Sequence, residues 1–372
     1  MSLLPPAALV PACTGTTPGG TPFASAGPTL PAIRGADLSF LLQQEATGST
    51  FRDGGPDQPV ERLLAARGAN LVRVRAWVDP PRGYSDLGSA LTLARRAHAS
   101  GQGVLLDLHY SDFWADRFNQ ATPTSWASQD LSELTATVRS YTRGAVAAFA
   151  EQGTPVQTVQ IGNEVTCGML WPLGQVYGDR HEHWDGFIQL LRAGLDGARE
   201  AATGPLHTVI HIDRGGDQGG ARYFFDHIVE AGVDFDLIGL SYYPFWHGPL
   251  VSLQQTLGDL AIRYGRDIVV VETSYPWVLP TGDGVTYHAA RADQLPDGDR
   301  FPATPQGQAA YFEALRGVLQ QVPGSRGLGF VAWEPAWLPG VGWADGEDNP
   351  FGNLTMFDRQ GNGLPSLAAF RP

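Results

Sequence analysis

Two short apolar runs in the sequence end in a glutamate. The first run leads into Gly162, Asn163 and Glu164, and the second, residues 268–271, leads directly into Glu272. Burying a carboxylate is costly unless it has a partner, so two strands that end in this way are predicted to deliver two acids to one edge of the fold. Glycosidic bond cleavage requires such a pair, because one acid protonates the leaving oxygen and the other attacks the anomeric carbon or activates water. The structural alternative for either glutamate alone is an ion pair with an arginine.

The composition of the chain argues against some classes of binding partner. The chain has 372 residues, 43% of them hydrophobic, and a net charge of −13. This acidic balance argues against nucleic acid and anionic membrane surfaces as partners, because both require clustered Lys and Arg, whereas a neutral polymer is compatible. No apolar run approaches the roughly 18 residues of a membrane span. The two cysteines, Cys13 and Cys167, support neither a disulfide framework nor a zinc site.

The N-terminal region differs from the rest of the chain. Residues 1–32 are rich in Pro, Gly, Ala, Ser and Thr and lack periodicity, so a disordered or processed tail is predicted there, with one catalytic domain over residues 33–372. Residues 10–13 resemble a bacterial lipoprotein processing site, although the charged start and full apolar segment of a signal are absent. Export to the extracellular space or the cell surface is expected.

Strand-like and helix-like patterns alternate through the body of the chain. Leu253, Leu257, Leu260 and Tyr264, followed by Gly265, are typical of one of the helices. Because no glycine-rich phosphate turn follows the first apolar run, eight such units predict an α/β fold of the (β/α)8 TIM barrel type rather than a doubly wound sheet. The predicted strands are residues 33–38, 71–77, 104–109, 156–162, 207–212, 235–242, 268–271 and 328–333.

The length beyond a plain barrel is concentrated in four connections that follow predicted strands. They are residues 110–130, 165–183, 273–303 and 334–354, and all are predicted to lie at the carboxyl ends of the strands, where barrel enzymes keep their sites. Tryptophans also concentrate in this region. Their flat rings on a concave surface would suit the C–H faces of sugars, and packing within the long loops is the alternative for some of them. The tryptophans at strand ends or in connections are Trp77, Trp114, Trp126, Trp171, Trp184, Trp246, Trp277, Trp333, Trp337 and Trp343.

Six blocks of sequence carry further polar and aromatic residues in a fixed order, at 34–39, 71–80, 106–116, 160–172, 241–248 and 271–276. They closely resemble, in the same order, the signature blocks of glycoside hydrolase family 53, the arabinogalactan endo-β-1,4-galactanases. The resemblance spans residues 33 to about 335. It implies a (β/α)8 barrel, cleavage with retention of configuration, Glu164 as the acid/base and Glu272 as the nucleophile.

These roles set requirements for the surroundings of the two acids. Glu164 must begin protonated and needs a raised pKa, while Glu272 must be ionised beside a positive charge. Arg73 and Arg75 share one face of the second predicted strand with Trp77, and one of the two arginines is expected to hold Glu272 ionised. A carboxyl separation of about 5 to 5.5 Å would specify retention, and about 6.5 to 9.5 Å would specify inversion.

Further residues of the blocks are candidates for substrate contact. By resemblance to related barrel glycosidases, Asn163 is expected to bond the 2-hydroxyl of the attacked sugar. Tyr243, on the inward side of the sixth predicted strand, is expected to orient the nucleophile, and Trp333 is expected to form the floor of the cleavage subsite. Four polar residues lie at the ends of strands one and three, and for each of them sugar contact and structural support remain alternatives: Asp37, Asp107, His109 and Asp112. His211 and His247 are similar cases. The predicted substrate-binding set is Asn163, Arg75, Asp37, His109, Asp112, Trp114, Tyr243, Trp246, His247 and Trp333.

The chain departs from the family pattern at one position, and its sequence does not decide whether a structural metal ion is bound. Arg117 stands where the family tends to have proline. The rim of the third loop, which is residues 110–130 after the third predicted strand, is therefore expected to differ, and with it a distal subsite. No cofactor is expected to be required. Asp283, Asp345 and Asp348 offer oxygen ligands for a structural calcium ion, and ordinary turns are the alternative for these residues.

The resemblance implies an endo-acting retaining hydrolase of β-1,4-galactan, the arabinogalactan side chains of pectin. The expected partner is a galactan polysaccharide or oligosaccharide, bound by a monomer. The fold and two acids do not by themselves choose the sugar, so another β-1,4-glycan such as mannan or glucan is an alternative. A noncatalytic sugar-binding barrel is the alternative from a different class.

Overall fold

The computed structural model describes residues 32–178, 181–280, 284–342 and 347–372. Within them, eight parallel strands close into a barrel in sequence order, and β1 pairs with both β2 and β8. The predicted (β/α)8 barrel is confirmed. The strands are β1 Ile33–Asp37, β2 Leu71–Ala76, β3 Gly103–Leu108, β4 Thr158–Ile161, β5 His207–Ile212, β6 Leu237–Ser241, β7 Asp267–Thr273 and β8 Gly327–Ala332.

Helices follow the strands and form the outer ring. Helix α8 ends where Gly265 adopts a left-handed conformation, as the helical spacing followed by glycine predicts. The helices of the described residues are α1 Leu41–Ala46, α2 Val60–Ala66, α3 Leu87–Ala99, α4 Leu131–Glu151, α5 Trp184–Ala201, α6 Gln218–Glu230, α7 Pro244–His247, α8 Leu250–Tyr264 and α9 Pro305–Gln320. None of these helices has the length and apolar character needed to cross a membrane.

The core has two parts because each strand is buried on both faces. One cluster fills the barrel interior, and a larger one lies between the strands and the helices. Alternation along each strand sends successive side chains to the two clusters. The interior cluster consists of Ile33, Leu71, Leu105, Val209, Leu237, Val269, Val271, Leu328 and Val331.

All eight strands point the same way, so their carboxyl ends meet on one face. Glu164 lies in the turn after β4, and Glu272 is the penultimate residue of β7. Strands β5 and β6 separate these two in the barrel. The predicted tail, residues 1–32, lies outside the described residues except for Ala32, so its assignment stays a prediction.

Candidate active site

A strained turn at the end of β4 aims the side chain of Glu164. Gly162 has φ 77° and Glu164 has φ 46°, a left-handed conformation that non-glycine residues adopt rarely and at a cost. A Cβ atom on Gly162 would collide with the side chain of Val165. The turn therefore depends on glycine two residues before the acid.

The two glutamates meet at the hydroxyl of Ser241, the last residue of β6. Its Oγ lies 2.6 Å from Oε1 of Glu164 and 3.5 Å from Oε2 of Glu272. The two carboxylate oxygens are thus no further apart than the sum of these contacts, about 6 Å, close to the spacing of acid pairs in retaining enzymes. The structure brings together two residues that are remote in sequence.

Glu272 is held by a buried arginine and a tyrosine. Arg73, which is 1% exposed, places Nη2 2.8 Å from Oε1 of Glu272, and the hydroxyl of Tyr243 donates to Oε2 at 3.0 Å. Arg73 also pairs with Asp37 at 2.6 Å and with Asp107 at 2.8 Å. Of the two arginines considered for Glu272, Arg73 makes the contact.

The ionisation of Glu272 reflects opposing influences. Burial raises its pKa above the usual value, Arg73 acts in the opposite direction, and the charges of Asp107 and Asp37 again favour the protonated form. The same carboxylates raise the pKa of Arg73 despite its burial. Arg73 therefore stays charged and stabilises the ionised form of Glu272.

Glu164 has the surroundings of a proton donor. Removal of the carboxyl group from water, and then the charges of Glu272 and Asp213, raise its pKa well above the usual value, while the bond from Ser241 lowers it. Glu164 forms no ion pair with any described residue. When the two glutamates share a single proton, Glu164 holds it, because Arg73 favours the ionised form of Glu272.

A neutral histidine supports this arrangement. His211, at the end of β5, has Nε2 2.8 Å from Oγ of Ser241 and Nδ1 3.1 Å from Oδ1 of Asn163. Burial and the nearby Arg73 charge lower its pKa well below the usual value. Asn163 also accepts a hydrogen bond from Arg73 at 2.9 Å and donates to the Ala115 carbonyl at 2.8 Å. Asn163 thus contacts Arg73, which pairs with Glu272, and His211, which contacts Ser241 beside Glu164.

Three residues predicted to bind substrate form hydrogen bonds to protein groups, and their contact with substrate stays a prediction. Asp37 is fully buried and accepts from Ser39 and Arg73. His109 has Nε2 2.9 Å from Asp107 and accepts from the Trp77 indole at 3.1 Å. Asp112 accepts from two loop backbone amides, at 3.2 and 2.8 Å. These contacts favour structural support for Asp37, His109 and Asp112.

Arg75 is enclosed below the surface. It is 1% exposed, pairs with Glu334 at 2.9 Å, and lies 4.3 to 5.0 Å from the ring centres of Phe40, Trp114 and Trp77. Its predicted contact with substrate stays a prediction. The observed contacts make it a support for the rings above it.

Glu334 and Ser241 were missed as site residues in the sequence. Glu334 lies two residues after the end of β8, in a left-handed conformation with φ 43°, and burial raises its pKa well above the usual value. The signal was present, because Glu334 repeats the pattern of an acid after an apolar strand that identifies Glu164 and Glu272. Ser241 lies in one of the six blocks but has no feature in the sequence that distinguishes it.

Aromatic rings line the carboxyl-terminal face beside these acids. Trp333 is buried, and its ring centre lies 6.1 Å from that of Trp114 and 4.5 Å from that of Phe351. Trp246 is 49% exposed. Nδ1 of His247 accepts a hydrogen bond from the backbone amide of Tyr243 at 2.9 Å, and burial lowers the pKa of His247 to about 4. Trp246 is therefore the most exposed ring among Trp333, Trp114, Phe351 and Trp246.

Several other tryptophans pack loops, as the alternative allowed. Trp337 is 1% exposed and stacks on Phe40 at 3.9 Å, and Trp126 packs against Tyr141 at 5.3 Å. Trp184 begins α5 and stacks on His227 of α6 at 4.2 Å, within the outer ring. Trp343 lies outside the described residues.

The structural calcium ion stays a prediction. Asp283 and Asp345 lie outside the described residues. Asp348 accepts from the backbone amides of Gly340 and Asn349 at 2.9 and 2.8 Å, the pattern of a turn-stabilising aspartate. In the described ranges, no group of three or more His, Cys, Asp or Glu residues is arranged to hold a metal ion.

Two relatives are similar to this chain in sequence over most of their length. A protein from Niallia circulans named "Uncharacterized protein in bgaB 5'region" is 42% identical over 344 residues, covering 91% of this chain and 93% of the relative. The "Arabinogalactan endo-beta-1,4-galactanase A" of Aspergillus niger is 37% identical over 314 residues, covering 82% of this chain and 85% of the relative.

Solved structures are similar over nearly the whole chain. The Ignisphaera aggregans GH53 catalytic domain has a TM-score of 0.85 at 34% identity, covering 94% of this chain and 99% of that one. A fungal β-1,4-galactanase structure has a TM-score of 0.81 at 32% identity, covering 91% and 98%. The family model of glycosyl hydrolase family 53 matches residues 33–370. The chain is therefore a glycoside hydrolase and belongs to glycosyl hydrolase family 53.

Proposed function

We propose that this protein is an endo-acting β-1,4-galactanase that cleaves galactan by double displacement, with Glu272 as nucleophile and Glu164 as acid/base. The observation that carries the proposal is the approach of both carboxylates to one hydroxyl, that of Ser241. One oxygen of Glu164 and one of Glu272 are at most about 6 Å apart. This closeness supports retention, for which the two carboxyl groups lie about 5 to 5.5 Å apart, over inversion, for which they lie about 6.5 to 9.5 Å apart.

In the first step, a carboxylate oxygen of Glu272 forms a bond to the anomeric carbon as the glycosidic oxygen leaves. Glu164 transfers its proton to that oxygen, so the leaving sugar departs as a neutral alcohol. Arg73 and Tyr243 hold the two oxygens of Glu272 and fix the direction of attack. Holding the reacting atoms in line removes much of the entropic part of the barrier.

In the second step, water replaces Glu272 at the anomeric carbon. The charge of Glu272 contributes to the raised pKa of Glu164, and ester formation removes that charge. The pKa of Glu164 consequently falls, so the deprotonated residue can accept a proton from the attacking water. Two inversions at one carbon leave the configuration unchanged.

The choice of galactan rests on the relatives, whose names include arabinogalactan endo-β-1,4-galactanase. We propose the galactan side chains of pectin as the substrate, cleaved outside the cell by a monomer without a required cofactor. The acids alone would serve another β-1,4-glycan such as mannan or glucan equally well. A noncatalytic sugar-binding barrel has no need for a proton donor next to a second, arginine-held carboxylate.

The substrate test compares hydrolysis of galactan, mannan, xylan and cellulose at equal concentration. Galactan is expected to be cleaved fastest, and proton NMR of the first products should show the β-anomer before mutarotation. Cleavage of mannan with galactan untouched would overturn the substrate. Initial release of the α-anomer would overturn retention.

The mechanistic test replaces the proposed nucleophile. Glu272→Gln is expected to lower kcat by roughly 10⁴-fold or more, because the amide cannot form the ester, while calorimetry shows that galacto-oligosaccharide binding persists. The matched control is Glu200→Gln on the outer face of α5, where an exposed ion pair with Arg139 is lost. An unchanged rate in Glu272→Gln would remove this residue from the mechanism.

A further inference from the structure

The third loop carries an arginine and a phenylalanine that have no part in the proposed chemistry. The loop is tied to the turn that presents Glu164: Asn163 donates to the Ala115 carbonyl at 2.8 Å, and Gln120 donates to the Asn163 carbonyl at 2.8 Å. Between these two ties, Asp116 and Asn119 exchange backbone hydrogen bonds and form a tight turn. The tip of this turn is therefore fixed relative to Glu164.

Arg117 extends this tip across the end of β4. Its Nη1 lies 2.9 Å from Oδ2 of Asp213, which follows β5 and is 3% exposed. The other oxygen of Asp213 accepts a hydrogen bond from Thr166, two residues after Glu164. A loop that begins at β3 thus reaches over β4 to β5, and its guanidinium lies beside the backbone that carries the acid.

Phe118 is exposed but held in place. Its side chain is 69% exposed, its ring centre lies 4.6 Å from the Arg117 guanidinium, and its amide donates to the Asp116 carboxylate at 2.7 Å. Exposing so large an apolar ring forgoes the free energy that burial would supply. A flat ring with a cation on one face and open space elsewhere is suited to stack against the C–H face of a sugar.

We propose that Phe118, backed by Arg117, is a binding platform for a galactose unit on the leaving-group side of the scissile bond. This assignment rests on the proposed function, because the proton of Glu164 goes to the leaving oxygen and the sugar bonded to that oxygen must lie on the Glu164 side. The ion pair of Arg117 with the buried Asp213 fixes the platform before substrate arrives, so little side-chain entropy is lost on binding.

The test compares two substrates that differ only in the leaving group. Galactotetraose places sugars on the leaving-group side, whereas β-galactobiosyl fluoride releases fluoride and places none there. Phe118→Ala is expected to lower kcat/KM on galactotetraose relative to the fluoride by about 10-fold, the size of one lost aromatic contact. With the fluoride as donor and galactobiose as acceptor, transfer relative to hydrolysis should fall by a similar factor.

Conservative variants separate stacking from bulk. Phe118→Tyr keeps the flat ring and should restore the wild-type ratio, whereas Phe118→Leu keeps apolar volume without the ring and should stay low. Tyr223→Ala removes a ring of 43% exposure from α6 in the outer ring of helices and should keep the wild-type ratio. Because Phe118 is exposed, its variants should also keep the wild-type melting temperature.

The outcomes distinguish failure of the Phe118 platform from failure of the proposed galactanase function. Wild-type protein that cleaves neither substrate would overturn the proposed function and with it the platform. Wild-type protein that is active on both, with an unchanged ratio in Phe118→Ala, overturns the platform alone. An equal fall on both substrates also overturns it, because Phe118 would then act through the position of Glu164 and not through the leaving-group sugar.

Discussion

At the scale of single residues, Ser241 is the side chain that contacts both acids. Its hydroxyl contacts Glu164, Glu272 and the neutral imidazole of His211. Because the group between the acids is neutral, Arg73 determines the charge of Glu272, and burial determines the protonation of Glu164. A cation in this position would favour ionisation of both glutamates and remove the proton donor.

Ser241→Ala is expected to move the alkaline limb of the kcat/KM profile to higher pH. The proposed first step requires protonated Glu164, so activity falls as pH rises through the pKa of this residue. Burial raises that pKa and the Ser241 bond lowers it, so losing the bond raises it further. The pH dependence of galactan hydrolysis measures the shift, with activity at the optimum reduced about 2- to 10-fold for one lost hydrogen bond.

The control for this prediction is another buried serine. Ser274 follows β7, and its hydroxyl has no hydrogen-bond partner among the described residues. Ser274→Ala should leave the alkaline limb in place. A shift of the limb to lower pH in Ser241→Ala would contradict the assignment of Glu164 as the group that titrates there.

At the scale of elements, the strand ends determine where each acid points. Glu164 and Glu334 both follow a strand and both have positive φ, whereas Glu272 lies within β7 and keeps extended geometry. A strand alternates its side chains between two faces, and a left-handed residue breaks this alternation. The acids after β4 and β8 can therefore point in directions that a regular strand would not allow.

Gly162→Ala tests this dependence on backbone geometry. The new methyl group would be held at φ 77° and would press on Val165, which is expected to cost about 1 to 3 kcal/mol of stability. Displacement of Glu164 by about 1 Å would reduce kcat by up to about 100-fold. Chemical denaturation and galactan assays measure the two effects separately.

The matched substitution is Gly144→Ala in the middle of α4. No atom lies near a Cβ at this position, so alanine should stabilise the protein by about 0.5 to 1 kcal/mol and leave kcat unchanged. If the two glycine variants behave alike, the conformation at Gly162 does not control the position of Glu164.

At the scale of the molecule, the barrel is closed by the first and last parts of the body. Strand β1 pairs with β8, and the 3-10 segment Pro365–Phe370 packs against β1 and α9. Phe370 is fully buried, and Arg316 donates to the carbonyls of Ala369 and Arg371 at 2.7 and 2.6 Å. The final segment therefore belongs to the core.

Two truncations should have opposite outcomes. Deleting residues 1–31 of the tail predicted from composition at residues 1–32 should leave the free energy of unfolding unchanged. Deleting residues 365–372 removes buried Leu367 and Phe370 and should cost about 3 kcal/mol or more, because each such side chain contributes about 1.5 to 3 kcal/mol. Urea unfolding measures both, and a loss of stability on removing residues 1–31 would show that the tail assignment is wrong.

The barrel and its acid-bearing strand ends could be predicted from sequence because the signals are local. Apolar runs, helical spacing and terminal glycines depend on neighbours within a few residues, and the predicted strands agree with those of the structure to within a few residues. Glu272 was identified because it follows its apolar run directly, and Glu164 because it lies in the short polar turn that ends the other run. The sequence-based prediction that both belong to one site required only that parallel strands share an edge.

The pairing of charges was decided by the tertiary structure alone. Arg73 and Arg75 lie two residues apart on the same face of β2, and nothing in their local sequence assigns Glu272 to one and Glu334 to the other. Ser241 acquires its position between the acids only when β6 takes its place beside β7. Sequence determined which residues stand at the strand ends, because hydrophobic periodicity is local. Barrel closure determined which of them touch, because those contacts join strands far apart in the chain.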